Sequence, residues 1–337
     1  MIKPLKFFLT RHRKRSRRAK KTSGFTLIEL LVAMILASII ISSLLSFMVT
    51  MVKTDRDEQA KTASEQEIQA AAEYITRDLE QAAYIYDDLD QIKNQLPPLA
   101  GEVGGCEQDV CEPVLVFWKL QLIPDAITVK DDSTHDTSVY SLVAYYQINN
   151  DTEDTNCAND TWSCTTRIGR FQIKDAVRDF DGEVVEDKEA DPGFNQPFDP
   201  EDTGTIKEQL KNWQREGEYN RQKQRIITLI DYIDNSKSGN PGDGAPEPKA
   251  CPQKIDNEGN PRTDDDGNDE LLGLVGASFG TSSFYACIDS DRTIAQVFLR
   301  GNAKARIDPR NDKYNPNKPA FFPSAKIEVR GRATFGS

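Results

Sequence analysis

Apolar and polar positions divide the chain into three stretches of different period. From Phe25 to Val52 the sequence FTLIELLVAMILASIIISSLLSFMVTMV is almost unbroken in apolar and small residues, with Glu29 its one charge and no proline or glycine. These 28 residues predict a helix of roughly 42 Å, longer than the ~30 Å hydrocarbon core of a bilayer. Beyond it the pattern becomes amphipathic. Ile68, Ile75, Ala82 and Leu89 recur every seven residues, and Ala72, Leu79 and Tyr86 follow the first three by four. That stripe predicts a helical continuation over 53–95, ended by Leu96-Pro97-Pro98. Such a stripe packs on the protein's own sheet or on a partner helix.

From residue 96 to 337 the pattern is β-rich. Val114–Leu122, Ser138–Ile148, Thr165–Ile173, Thr293–Leu299 and Ala325–Val329 read as strands, being rich in aromatic and β-branched residues. Arg225–Ile233 is ambiguous between helix and strand. Residues 181–224 and 234–270 are polar, with scattered Pro and Gly, and read as insertions or mobile loops. No internal repeat is visible. The fold class expected is α+β, a long N-terminal helix packed on an antiparallel sheet in one head.

Charge sharpens the first boundary. Residues 1–24 hold ten Lys/Arg and no acid; without them 32 basic residues face 54 acidic ones, a net charge of −22 in place of −12. An acidic body argues against nucleic acid as a partner. The basic leader is expected to stay cytoplasmic, placing the head on the far side of the membrane. An ordinary secretory signal would be shorter and followed by a small-residue cleavage site; here Ser23-Gly24 precedes the apolar run. Hydropathy alone would favour a passive, uncleaved anchor. A carboxylate in the bilayer costs about 2.5–3.5 kcal/mol, so Glu29 calls for a partner or a purpose.

The segment Lys20-Lys21-Thr22-Ser23-Gly24-Phe25-Thr26-Leu27-Ile28-Glu29-Leu30-Leu31-Val32 resembles the prepilin leader of type IV pilins and type II secretion pseudopilins. The resemblance implies a pilin-like fold and cleavage by a membrane prepilin peptidase between Gly24 and Phe25, with N-methylation of Phe25. It further implies an assembly and register role for Glu29, facing the new amine of a neighbouring subunit. Glu29 could instead serve its own helix dipole, and both readings stand at this stage. The implied partners are the peptidase, other pilins or pseudopilins and an inner-membrane assembly platform. The implied location is a single pass through the inner membrane with a periplasmic head, then a pilus-like fibre. Many major pilins carry a proline within this span, where this chain has Ser42, Ser43 and Ser46. Head size and disulfide-prone loops resemble the larger minor pseudopilins. Arg77–Ala82, Phe284–Asp289 and Val297–Ala303 resemble segments of cyanobacterial pseudopilins linked to hormogonium polysaccharide secretion, which implies a secreted cargo or polysaccharide. Adhesion or motility as a minor type IV pilin, and a passive surface binding protein, are the alternatives.

Candidate chemistry in the head is sparse. Cys106, Cys111, Cys157, Cys164, Cys251 and Cys287 are an even set that suggests disulfides in an oxidising compartment. Proximity selects Cys106–Cys111, Cys157–Cys164 and Cys251–Cys287 from many connectivities, and zinc fits the spacings poorly without companion histidines. The histidines are His12, in the leader, and His135, and nothing nearby nominates His135 for catalysis. Gly273, Gly276 and Gly280 match no phosphate-binding loop. No enzyme activity and no cofactor are expected, apart from a weak calcium candidate at Asp264, Asp266 and Asp269. Its EF-hand alignment puts Arg262 at the first ligand position and Gly273 at the last. Asp179–Gly182 fails the same test, with Val177 first.

Overall fold

The computed structural model describes residues 24–97, 110–128, 133–150, 161–197, 204–220, 222–239, 244–256, 258–309 and 312–332. Helix α1 runs from Leu27 to Leu79. Nothing in its sequence interrupts it, and its hydroxyls reinforce it. Ser38, Ser42, Ser43 and Thr50 each donate to the carbonyl three or four residues back, at 2.7–2.9 Å. Polar side chains satisfied in this way are compatible with a surrounding without water. Among the described residues α1 holds the one candidate membrane span, and every side chain from Leu27 to Val52 is exposed.

Two compact units meet at Thr54/Asp55, inside α1. In the second, Ile68, Ala72, Ile75 and Leu79 are buried, as the heptad stripe requires. The stripe then fails. The helix ends at Leu79 rather than near residue 95, and Ala82–Ile85 forms strand β1, so Ala82 and Tyr86 are not helical and Leu89 opens a separate short 3-10 turn, Leu89–Gln91. Pairing overrides period here: Tyr84 and Ile85 lie opposite Trp118 and Phe117 in antiparallel register, and aromatic and β-branched side chains favour that pairing.

The other strands are β2 (Cys111–Thr128), β3 (Thr134–Asn149), β4 (Thr166–Lys174), β5 (Ile227–Ile233), β6 (Gly273–Gly276), β7 (Phe284–Asp289), β8 (Ile294–Arg300) and β9 (Ser324–Arg330). They form two antiparallel sheets, ordered β1-β2-β3-β4-β5 and β6-β7-β8-β9, where one was expected. The ambiguous 225–233 stretch is strand β5. Strands β1, β6 and β7 were not foreseen. The apolar face of α1 packs with residues of both sheets: Ile68, Ala72, Ile75 and Leu79 cluster with Leu115, Phe117, Val143, Phe284, Val297 and Leu299. Gly301 permits the approach, since a Cβ there would meet Ile68 Cγ1 at 2.9 Å.

Alternate residues of β2 and β3 (Val116, Trp118, Leu142, Tyr146) face a second cluster, which explains why both strands read as continuous apolar runs. Its cover comes from the 181–224 segment. Phe194, Leu210, Trp213 and Tyr219 are buried against the sheet, with the Trp213 ring 5.4 Å from that of Trp118. Helix α2 (Ile206–Lys211) begins with a capping box between Thr205 and Glu208. This insertion is a core-forming layer, not a surface loop.

Described residues of the 234–270 segment are also ordered by pairing. Gln253, Ile255 and Thr263 bridge Leu271, Pro261 and Asp269, giving a small meander. Its two turns, Asp256–Asn260 and Asp264–Asn268, repeat the pattern Asp-x-x-Gly-Asn eight residues apart, a repeat the sequence reading missed.

Candidate processing and assembly site

Thr26 organises the start of α1. The Glu29 backbone N–H donates to Thr26 Oγ1 at 3.3 Å, and the Leu30 N–H donates to the Thr26 carbonyl at 3.1 Å. Thr26 Oγ1 therefore satisfies one donor that helix geometry leaves open at an N-terminus, and the Thr26 carbonyl accepts the first helical bond. Immediately before it, Gly24 has open space where a Cβ would stand, and Phe25 is 79% exposed. The Gly24–Phe25 bond thus lies next to the helix start, without side-chain cover from the described residues. Glu29 follows in the first turn of α1, four residues after Phe25. Its carboxylate is exposed and forms no hydrogen bond or ion pair among the described residues. The cap uses the Glu29 backbone, so its side chain is left for another group.

The remaining candidates lie in the head. Cys251 and Cys287 are joined by a disulfide with Cα atoms 5.5 Å apart, tying the meander to β7. Cys111 and Cys164 are disulfide-bonded as well; Cys106 and Cys157 lie outside the described residues. The Asp264 carboxylate serves its own turn: Oδ1 accepts from the N–H groups of Asp266 and Asn268 at 3.0 and 2.8 Å. Those bonds hold Asp264 below the usual carboxylate range. Asp256 repeats the arrangement with Glu258 and Asn260, and Asp179 with Asp181 and Glu183. Gly182, Gly259 and Gly267 complete the three turns at φ of +83 to +90°. Asp264 Oδ1 thus accepts from backbone donors and Oδ2 from Asn268 Nδ2 at 3.2 Å, and the described residues contain no group of three His, Cys, Asp or Glu placed to hold a metal ion. The His135 ring meets the edge of Phe180 at 6.0 Å.

Sequence reasoning missed the charged groups that hold α1. Asp78, buried in its last turn, accepts from Lys119 Nζ at 2.7 Å, Tyr145 Oη at 2.6 Å and Arg170 Nε at 2.7 Å. Further along, Arg306 reaches Ser64 Oγ at 3.0 Å, pairs with Glu67 and lies 4.0 Å over the Tyr232 ring. A second buried pair joins Arg300 Nε to Asp234 Oδ2 at 2.8 Å. The segments Arg77–Ala82, Phe284–Asp289 and Val297–Ala303 therefore build the core. Asp78 is in the first, the second is a strand buried throughout, and the third carries Arg300 and Gly301. An acid three residues after Ile75 and one before Leu79, on the buried stripe, was the one available signal for Asp78.

Residues 19–45 match the family described as the prokaryotic N-terminal methylation motif. The chain carries a prepilin-type motif. This prepilin-type segment includes Gly24, Phe25 and Glu29 and supports a type IV pilin-like or pseudopilin subunit. It implies processing by a prepilin peptidase and assembly with other pilins, and it points to a structural subunit rather than an enzyme. With the apolar part of α1 it fits a membrane-anchored, single-pass pilin. The helix packed on antiparallel sheets is a pilin-like arrangement. Comparison with curated proteins and with solved structures found no match.

Proposed function

We propose that this chain is a minor pseudopilin-like subunit of a type IV pilus or type II secretion-like fibre, supporting secretion or fibre initiation. The observation that carries the reading is the prepilin-type motif at 19–45, ending a basic leader and opening a helix whose Glu29 carboxylate has no partner among the described residues. Cleavage after Gly24 creates a positive amine at Phe25, and the basic leader keeps this end cytoplasmic. As the helix leaves the bilayer for a bundle of like helices, an incoming amine meets the Glu29 of a neighbour. Desolvation offsets much of the Coulomb gain in such a pair, so it selects register more than it stabilises. Exported polysaccharide is the proposed cargo, on the resemblance of the three core segments.

Mass spectrometry of the membrane-extracted protein tests this reading, with N-methyl-Phe25 as the expected first residue. Gly24→Leu, a site with open space in the fold, is expected to retain the leader and to be lost from fibres. An intact Met1 on the wild-type chain would identify a passive anchor instead. For the cargo, deletion of the gene is expected to lower extracellular glycan.

A further inference from the structure

Charge is distributed unevenly over the processed chain. Residues 25–291 hold 22 basic and 51 acidic residues, whereas 292–332 hold ten basic and three acidic. That basic stretch borders a cleft of about 540 Å³ on the second sheet, within the range of ligand-sized pockets. Tyr285, Phe298 and Lys326 stand directly opposite one another on β7, β8 and β9 and form one wall. Tyr314, Phe322 and Pro246 contribute to the others. Arg300 is committed to Asp234 and Arg306 to Glu67. Lys249 and Lys326 at the cleft, with Lys313 and Lys318 in the adjoining segment, form no ion pair among the described residues, and they outnumber the one carboxylate that lines the cleft, Glu247.

The rings argue for a polypeptide occupant. Phe298 stacks on Tyr285 at 4.5 Å and 5°, and Lys326 covers it at 5.5 Å. Arg300 lies over Tyr314 at 5.5 Å. A sugar needs an open ring face to stack on, and the faces here are largely taken. A side chain inserted among ring edges and prolines, with carboxylates reaching the lysines, has no such need. The chain itself presents that shape. Phe180, 72% exposed at the tip of its turn, is flanked by Asp179, Asp181 and Glu183, with Val184 also exposed.

We propose that the cleft receives the acidic Phe180 turn of a second copy of this chain, in a head-to-tail contact. Such an interface uses two different surfaces, so it leaves one of each free and propagates instead of closing. The proposal rests on the fibre-subunit reading for its setting, where a short run of copies would start assembly.

Three proteins test it as full chains in detergent micelles, by analytical ultracentrifugation at low salt. Wild type is expected to self-associate with rising concentration, and 1 M salt to weaken this at least tenfold. Phe180→Ser, lacking the knob, and Lys249→Glu/Lys326→Glu, lacking the cationic rim, are each expected to show at least tenfold weaker association. Mixed, they restore one productive interface and form a 1:1 dimer. The control Lys211→Glu/Lys223→Glu, exposed on the first sheet's cover, is expected to behave as wild type. Both surface variants should still carry N-methyl-Phe25, so failure here leaves the processing reading intact. A mixture that stays monomeric, or variants that associate like wild type, overturns the proposal. Oligogalacturonate binding that is lost with the lysines, without self-association, overturns it in favour of an acidic glycan.

Discussion

Arg170 grips Asp78 at both carboxylate oxygens, Nε to Oδ2 at 2.7 Å and a terminal nitrogen to Oδ1 at 3.3 Å. The two residues are 92 positions apart, and their contact fixes the end of α1 to the middle of the first sheet. Lys119 and Tyr145 fill the remaining lone pairs, and Arg170 also donates to Gln172 at 2.7 Å. A buried ion pair seldom adds net stability over an apolar replacement of both partners, but removal of one partner leaves a buried charge uncompensated. The network specifies where the helix sits more than how firmly the head is folded.

Asp78→Ala follows directly. Lys119 and Arg170 would be left buried without their counter-charge, at a cost of about 3–5 kcal/mol. Equilibrium urea unfolding of the full chain in detergent measures it. A loss under about 1 kcal/mol would show that solvent or rearrangement replaces the carboxylate.

The same residue sets an acid limit. Burial raises the Asp78 pKa, but hydrogen bonds and charge from Arg170 and Lys119 outweigh it, and the net direction is down. Its stabilising contribution is therefore complete above the unfolded value of about 3.9 and is lost as pH falls through the lower native value. Burial moves Asp175 and Asp191 the opposite way, so the wild-type profile alone is composite. The difference between wild type and Asp78→Asn isolates the effect. It is expected to be constant near neutrality and to shrink only below about pH 4.

Gly301→Ala tests the close approach of helix and sheet. The new Cβ would stand 2.9 Å from Ile68 Cγ1 and 3.2 Å from Cδ1, and overpacking of this kind costs about 1–3 kcal/mol. Ile68→Val removes the outer methyl and is expected to recover part of that loss in a double-mutant cycle. Additive losses would place the strain elsewhere.

Glu29→Gln separates two uses of this residue. The helix cap is made by its backbone N–H to Thr26 Oγ1, so the substitution leaves the cap in place and removes only the charge. Processing and N-methylation are expected to proceed, with incorporation into fibres reduced at least tenfold. Thr26→Ala provides the converse, weakening the helix start by about 1 kcal/mol with the carboxylate retained. Equal incorporation of Glu29→Gln and wild type would reduce Glu29 to a dipole partner.

The main strands were legible because each face of β2 and β3 is buried, and sustained apolar, aromatic and β-branched runs signal that without reference to a partner. Strand β1 was not legible: Ala82 and Tyr86 extend the heptad spacing of Ile68 and Ile75, and only the edge of β2 turns Ala82–Ile85 into a strand. The polar 181–224 segment hid Phe194, Leu210 and Trp213 among charges, although these cover Trp118. Asp264 suggested a calcium ligand because a turn and a calcium loop use the same residues, and only the folded chain shows the backbone donors that its Oδ1 meets.

By itself the amino-acid order determined the prepilin-type motif at 19–45 and the apolar length of the helix, because each depends on neighbours a turn away or on contact with lipid. Tertiary structure alone decided where α1 stops, that two sheets share it, and that Asp78 is held by Lys119 and Arg170. Those outcomes come from groups 41 and 92 residues apart, and no local period encodes a partner that only chain folding brings within 3 Å.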